Sequence, residues 1–321
     1  MLRALQTDPR FLNWFYGFTP PETGAIGLGL RRVYIVPTRL GWMFAGTLAI
    51  LLLGSINYSL ALGFALTFLL GGLGLAGMVH TMRNLALLSV SPGRAEPVFA
   101  GEQAQFRLHL DNPSPFDRPS ILARHLASGT QLVVDVDASS VTEVVLAVPA
   151  ERRGRLALGR VMLETRFPLD LFRAWSYVEP EVHCIVYPRP ISSPLPPPEA
   201  DGSGTAARAH VQGNDDFSGL RAYQASDSTR HVAWKAVALA GDMLTKQFTD
   251  DAASEVWLDW RLTSPRLGTE ERLSLIAGWV LAAERRAASY GLRLPAAEFA
   301  PGRGEAQRAD CLNALALYDG P

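Results

Sequence analysis

Residues 40–82 read LGWMFAGTLAILLLGSINYSLALGFALTFLLGGLGLAGMVHTM and contain no Asp, Glu, Lys or Arg. A helix needs about 20 residues to cross the hydrocarbon core of a bilayer once, and this stretch is about twice that long. Turn-forming residues at 54–59 divide it near its middle. We therefore predict a transmembrane helical hairpin over residues 40–79, with helices over about 40–57 and 60–79.

Basic residues flank this stretch on both sides. Arg31, Arg32 and Arg39 precede it, Arg83 and Arg94 follow it, and the expected tip carries none. Because cytoplasmic loops are enriched in Lys and Arg, both ends of the hairpin are expected in the cytoplasm, including the N-terminal segment 1–39. The alternatives are a pair of buried core helices and a cleaved signal peptide. The second is disfavoured because the apolar run starts far from residue 1.

The composition excludes several classes of protein. The 321 residues include 30 basic and 31 acidic ones, a net charge of −1, which argues against a nucleic-acid partner. Cys184 and Cys311 are far apart, so neither a disulfide framework nor a zinc site is expected. The six histidines show no metal-ligand spacing. We expect no metal and no cofactor.

The remainder of the chain divides into a β part, a linker and an α/β part. Short alternating runs within residues 84–190, at 105–110, 131–136, 142–148, 156–163 and 182–187, predict an antiparallel β-sandwich. Residues 191–212 are rich in Pro and Gly and are typical of a linker.

Helices and strands alternate within residues 213–321. Helices are expected over about 228–239, from 269 to a stop at Gly291, and over 305–318, with strands at 243–248, 255–260 and 292–294. This alternation predicts a small parallel sheet. The fold class is thus an α+β membrane protein.

The segment 213–248 begins GNDDFSGLRAYQASDSTRHVAWKA and ends LTKQF. It resembles the signature of the bacterial family called "domain of unknown function fifty-eight". The matching positions are Gly213, Leu220, Arg221, Tyr223, Asp227, Arg230, Trp234, Lys235 and Lys246. Two other stretches are similar to the family as well, VPTRLGW at 36–42 and FPLDLF at 167–172. Ser226 and Leu239 depart from its usual glycine and arginine.

The resemblance implies a context rather than a reaction. Members are bacterial inner-membrane proteins that end in a von Willebrand A-like α/β domain, which must be shortened here. They are associated with an AAA+ ATPase of the MoxR type and with a transglutaminase-like membrane protein. The family has no established catalytic activity, so the nine signature residues are expected to bind a partner or to brace the fold.

Three interpretations of the signature segment stay open: an internal polar network, a docking surface, and a catalytic or phosphate site. Charge balance favours the network, because buried charges are normally paired. Arg, Tyr and Trp are the residue types of interface hot spots, which favours docking. The balanced charges are Arg221, Arg230, Lys235 and Lys246 against Asp215, Asp216, Asp227 and Asp242.

An A-like domain normally holds a divalent metal through Asp-x-Ser-x-Ser after its first strand. Here the chain reads Asp259-Trp260-Arg261-Leu262-Thr263, and Arg261 stands in place of the first hydroxyl ligand. Its positive charge would repel a cation, so we expect no metal and expect Asp259 to order its loop instead.

The sequence contains neither a Walker A motif nor a nucleophile elbow. The favoured hypothesis is a non-enzymatic, membrane-anchored adaptor that docks the ATPase. One alternative is a hydrolytic enzyme that uses Asp215, Asp216, Asp227 or Asp250 at the domain junction. Another is a cell-envelope scaffold without an ATPase partner.

Overall fold

A computed structural model of the chain describes residues 21–197, 217–222, 244–248 and 255–320. The protein is a mixed α+β structure with several antiparallel sheets. It divides into two compact units, one formed by residues up to 189 with 315–319, the other by residues 190–314 with 320.

The uncharged stretch forms two helices, α1 (Arg39–Asn57) and α2 (Ala61–Leu85), each long and apolar enough to cross a membrane. The side chain of Thr38 caps α1 by accepting a 3.1 Å hydrogen bond from the amide of Gly41. The second helix continues to Leu85, six residues beyond the expected end at 79.

Small residues let the two helices approach each other. A Cβ atom at Gly74 would lie 3.0 Å from the ring of Phe44, and one at Gly63 would lie 2.2 Å from the hydroxyl of Ser55. Gly74 therefore serves close packing of the two helices. Gly71 and Gly72 instead face open space.

The first unit contains two larger antiparallel sheets. One has the order β1-β3-β5-β8, and the other has the order β2-β11-β10-β6-β7. The strands of the first are β1 (Ile26–Gly27), β3 (Ser89–Ala95), β5 (Gln103–Asn112) and β8 (Ser140–Pro149). Those of the second are β2 (Tyr34–Pro37), β6 (Arg118–His125), β7 (Gln131–Val136), β10 (Val161–Thr165) and β11 (Phe172–Val178).

A smaller mixed sheet has the order β4-β12-β9. Its strands are β4 (Val98–Phe99), β9 (Gly154–Ala157) and β12 (His183–Tyr187). The single strand expected over 156–163 is wrong. Gly159 has a φ of +69°, a left-handed conformation that separates β9 from β10, and these two strands join different sheets.

One hydrophobic cluster draws on both larger sheets. Alternate residues of β5, such as Phe106 and Leu108, point into it, and Ile121 of β6 and Leu163 of β10 join it from the second sheet. The alternation in the sequence marks the side of each strand that faces this core.

The second unit contains a three-stranded sheet of β15 (Val256–Asp259), β16 (Tyr290–Leu294) and β17 (Ala297–Gly302). It also contains helix α3 (Thr269–Arg285) and residues 305–314 of helix α4 (Glu305–Ala316). The expected parallel pairing holds for β15 and β16, whereas β17 is antiparallel and was not predicted. A separate antiparallel pair consists of β13 (Phe217–Ala222) and β14 (Leu244–Phe248).

The helix α3 buries the apolar stripe expected from its sequence, and Glu271 in its first turn accepts a 3.1 Å hydrogen bond from the amide of Gly268. The expectation that Gly291 ends this helix is wrong, because α3 ends at Arg285 and Gly291 lies inside β16. A Cβ atom there would lie 2.7 Å from the ring of Trp257, so the strand pair needs a glycine at this position.

Candidate functional site

Three of the nine signature residues lie on described strands. Leu220 and Arg221 belong to β13 and Lys246 belongs to β14, and the register places Leu220 directly opposite Lys246. The other six lie outside the described residues: Gly213, Tyr223, Asp227, Arg230, Trp234 and Lys235. The candidate catalytic acids Asp215, Asp216, Asp227 and Asp250 also lie outside them.

Asp259 orders the loop after its strand, as predicted. It is the last residue of β15, and its Oδ1 accepts a 2.8 Å hydrogen bond from the amide of Arg261. The hydroxyl of Thr263 donates to the carbonyl of Trp260 at 2.6 Å and accepts from Nε of Arg272 at 2.5 Å. Oδ1 of Asp259 and the hydroxyl of Thr263 are therefore both hydrogen-bonded within the protein.

An open cleft of about 550 Å³ lies at this end of the parallel pair. It is lined by Asp259, Trp260, Arg261, Arg293, Pro295 and Glu298, among others. Its charges are balanced, and Arg293 donates to Glu298 at 3.0 Å while its guanidinium stacks 3.6 Å from the ring centroid of Trp257. Among the described residues, no group of three or more His, Cys, Asp or Glu is arranged to hold a metal ion.

A set of polar contacts in the first unit joins the hairpin to the sheets. Thr38, before α1, donates its amide to the carbonyl of Leu171 at 2.9 Å and its hydroxyl to the carbonyl of Asp170 at 2.5 Å. A Cβ atom on Gly41 would lie 2.1 Å from the same Leu171 oxygen. The β10–β11 turn therefore rests directly against the first turn of α1.

The end of α2 is capped by a buried arginine. Arg118, only 3% exposed, donates Nε to Oδ1 of Asn112 at 2.7 Å and Nη1 to the carbonyls of Arg83 and Ala86 at 2.7 and 2.5 Å. These carbonyls belong to the last turn and the cap of α2, which have no partner within the helix. Burial, and then the charge of Arg83, lower the pKa of Arg118 from its ordinary value.

A second buried contact lies beside this cap. The side-chain nitrogen Nδ2 of Asn84 donates to the carbonyl of Pro119 and to the hydroxyl of Thr165, both at 2.8 Å. The neighbouring Glu164 is 4% exposed and binds Arg173 at 2.6 Å and Arg166 at 3.0 Å. Both ends of the hairpin are thus hydrogen-bonded to the second sheet.

We name this region the hairpin junction, formed by Thr38, Gly41, Asn84, Arg118, Thr165 and the turn at 166–171. Sequence reasoning noted the stretches 36–42 and 167–172 separately but did not predict that they meet. The pairing of β2 with β11 brings them together, with Pro37 opposite Phe172. One hint of this contact was present in the sequence, because both stretches are similar to the same family.

A scan of the chain against protein-family models gave no match, and a search of curated proteins gave none either. The resemblance described above therefore rests on its motif residues.

Proposed function

We propose that this chain is a membrane-anchored adaptor of the bacterial inner membrane, without catalytic activity of its own, that docks an AAA+ ATPase of the MoxR type. In this proposal α1 and α2 cross the bilayer and both chain ends are cytoplasmic. The first unit, which is rich in β-strands and is therefore called the β-rich unit, is a β-sandwich. The second unit is a shortened von Willebrand A-like domain. A transglutaminase-like membrane protein is a further partner that the resemblance implies.

The exposed apolar surface of the hairpin is the observation that supports the proposed membrane anchor. In the most apolar 18-residue stretch of each helix, only a small share is buried inside the structure, 11% for α1 and 17% for α2. Leu62 is 86% exposed and Leu69 is 71% exposed. Such a surface is unfavourable in water and favourable in hydrocarbon, at about 25 cal/mol for each Å².

The hairpin junction supports an anchoring role for these helices. The cap of α1 and the end of α2 are both bonded to the second sheet, through Thr38 and Arg118. An anchor fixed in this way holds the β-rich unit in a defined orientation to the bilayer, as an adaptor requires. The ATPase partner is proposed because of the family resemblance. In this proposal, segment 213–248 forms or braces the docking surface.

Cysteine labelling from the two sides of the membrane tests the anchor. Cys184 and Cys311 are fully buried, so a new exposed cysteine can be labelled selectively. We expect Tyr58→Cys, at the hairpin tip, to react with an impermeant maleimide in intact spheroplasts. Gln103→Cys is expected to react only after lysis. Labelling of Gln103→Cys in intact spheroplasts would contradict the proposed orientation.

Crosslinking and affinity purification of the full-length chain from native membranes test the adaptor. We expect an AAA+ ATPase with the wild type and with a matched control, Leu262→Ala/Arg266→Ala, and its loss with Arg221→Ala/Trp234→Ala. Circular dichroism establishes that each variant is folded. Equal recovery with all three would assign the signature segment a bracing role only, and no ATPase in any sample would refute the adaptor proposal.

A further inference from the structure

The strand β10 is buried on both of its faces, although the hydrophobic cluster lies on only one side of its sheet. Val161 and Leu163 point into that cluster, together with Ala174 of the neighbouring strand β11. Because side chains alternate along a strand, Met162 and Trp175 point to the opposite side of the second sheet. We name this side the outer face.

One row of the outer face crosses the whole sheet. The strand register places its side chains in the order Tyr34, Trp175, Glu164, Leu122 and Val133. Both ends of the row are exposed, Tyr34 to 37% and Val133 to 59%, whereas Trp175 and Glu164 in its middle are only 5% and 4% exposed. An antiparallel sheet commonly leaves one face in water. The middle of this face is covered instead.

Neighbouring side chains account for a part of this burial. Nη2 of Arg173 lies 2.6 Å from the carboxylate of Glu164, and its guanidinium lies over the ring of Trp175, 5.1 Å from the centroid. The ring of Tyr34 stacks against Trp175 at 5.8 Å. The side chain of Arg173 is itself only 20% exposed, although it lies outside the tryptophan. A side chain that covers another one and is itself covered indicates a further layer.

The covered strip is narrow. Among the described residues, the buried side chains of the outer face belong to β10 and β11, whereas those at the edges, on β2 and β7, are largely exposed. Neighbouring strands lie about 4.8 Å apart, so the strip is about 10 Å wide. This is the width of a single chain segment. A folded domain laid on the sheet would also cover the edge strands.

The chain enters the β-rich unit beside this strip. The amide of Glu22 donates to the carbonyl of Glu179 at 2.8 Å, and the carbonyl of Glu22 accepts from the amide of Glu181 at 3.0 Å. Glu179 directly follows β11, so residues 1–20 are attached next to one end of the strip. The seven residues of β11 span about 24 Å, a distance that twenty residues can follow.

The sequence of this N-terminal segment suits an apolar strip. Residues 11–18 read FLNWFYGF and include five aromatic side chains, Phe11, Trp14, Phe15, Tyr16 and Phe18. In water they would form a large exposed apolar surface. Aromatic rings favour contact with other rings and with guanidinium groups, which are the groups that the outer face presents.

We propose that the outer face is a binding site for the chain's own N-terminal segment, with the aromatic side chains of residues 11–18 packed over Met162, Arg173 and Trp175. The segment forms a third layer of the β-rich unit, outside the second sheet. This interaction surface goes beyond the proposed adaptor function and does not require the ATPase.

The bilayer is the other apolar environment that could receive these rings. The hairpin junction lies at the opposite end of β11, where Phe172 pairs with Pro37. Glu22 is therefore held about 24 Å from that end, along the length of the strand. The point of attachment favours the sheet over the membrane.

The reactivity of single cysteines in the full-length protein in detergent tests this inference. Met162→Cys reports on the outer face, and Leu163→Cys, the next residue, points into the hydrophobic cluster. We expect Met162→Cys to react slowly with a maleimide and at least about ten-fold faster when Trp14→Ala/Phe15→Ala is added, because an uncovered thiol is accessible. Leu163→Cys should stay unreactive in both backgrounds.

A matched control changes the same segment without removing a ring. Gln6→Ala/Thr7→Ala removes two polar side chains and should leave the rate at Met162→Cys unchanged. An unchanged rate with Trp14→Ala/Phe15→Ala would overturn the inference, because another part of the molecule would then cover the outer face.

Photocrosslinking tests the contact in a chain that keeps its aromatic side chains. Benzoylphenylalanine takes the place of Phe15 in the full-length protein, in liposomes of phosphatidylglycerol and phosphatidylcholine. We expect crosslinks within one chain to β10 or β11, located by mass spectrometry of the peptides. Crosslinks to lipid alone would place the ring in the bilayer, and crosslinks between two chains would assign the face to a second copy. Either result overturns the inference and leaves the proposed membrane anchor intact.

Discussion

The amide of Thr38 donates a 2.9 Å hydrogen bond to the carbonyl oxygen of Leu171, and the hydroxyl of Thr38 reaches the carbonyl of Asp170, 132 residues away in sequence. This contact joins the start of the apolar hairpin to a turn of the second sheet. A hydrogen bond at the cap of a helix orients the helix as well as stabilising it. The direction in which α1 leaves the β-rich unit therefore depends on the turn at 166–171.

Gly41→Ala should loosen this joint. The new Cβ atom would lie 2.1 Å from the Leu171 carbonyl oxygen, and backbone on both sides would have to shift. We expect the free energy of unfolding to fall by about 1–3 kcal/mol. The thermal midpoint of the purified protein in detergent measures this loss.

Gly46→Ala is the matched control for that variant. Gly46 lies in the same helix with nothing within 4 Å of an added Cβ atom, so this change should leave the midpoint unchanged or raise it. Equal midpoints for the two variants would show that the approach of Gly41 to Leu171 does not matter for stability.

Arg118→Met should be the most destabilising single change at the hairpin junction. It removes the donors that satisfy Asn112 Oδ1 and the carbonyls of Arg83 and Ala86 in a buried place. Unpaired buried acceptors cost about 1–3 kcal/mol each, partly offset by the loss of a buried charge. We expect unfolding in denaturant to show a net loss of about 3 kcal/mol.

Arg124→Met provides the comparison for Arg118→Met on the same strand. Arg124 makes an exposed 3.1 Å hydrogen bond to Gln131, so its loss should cost less than about 1 kcal/mol. A loss for Arg118→Met no larger than this would mean that water reaches the end of α2 and replaces the arginine.

His125 should make the first unit less stable in mild acid. It is 3% exposed, its Nε2 lies 2.6 Å from the carbonyl of Leu158, and its Nδ1 accepts a 3.2 Å hydrogen bond from the amide of Ser128. Burial lowers its pKa, although the bond to Leu158 acts in the opposite direction.

Because the folded protein disfavours protonation of His125, the unfolded chain binds more protons in this range. Stability should be constant above the unfolded pKa of about 6.5 and should fall as the pH drops below it, by at most about 1.4 kcal/mol per pH unit. Denaturant unfolding between pH 5 and 8 measures the slope. His125→Gln should flatten it, and a change at the exposed His183, His183→Gln, should not; the same slope in both variants would assign the pH dependence to other groups.

Gly278→Ala should release the backbone at Ile191 from helix α3. Within the second unit, the amide of Ile191 donates to the carbonyl of Ser274 at 3.0 Å, and a Cβ atom on Gly278 would lie 1.9 Å from the carbonyl oxygen of Ile191. We expect hydrogen exchange of the Ile191 amide to become at least about ten-fold faster, because the bond that protects it is displaced.

The amide of Leu292, inside the sheet of the same unit, serves as the internal reference for that measurement. Its exchange rate should stay within about two-fold of the wild-type value. Equal acceleration at both amides would indicate that the whole unit had been destabilised rather than the segment released.

The elements most easily predicted are those whose signal is local. The absence of charge over residues 40–82 indicates two apolar helices whatever surrounds them, and the helix α1 was expected within one residue of its bounds. Alternation predicted β7 at Gln131–Val136 with its observed bounds. The helix α3 follows from its apolar spacing and the acids in its first turn.

The hairpin junction depends on contacts that no local pattern encodes. Arg118 looks like a surface arginine in the sequence, and only the approach of the end of α2 makes it a buried cap. Gly291 was assigned to a helix end because glycine favours such ends, whereas the neighbouring Trp257 requires it in β16. Local composition thus determined where the helices and most strands lie. Long-range packing decided where they end and which of them meet, because these depend on contacts between distant residues, 35 positions apart for Arg118 and Arg83 and 132 for Thr38 and Asp170.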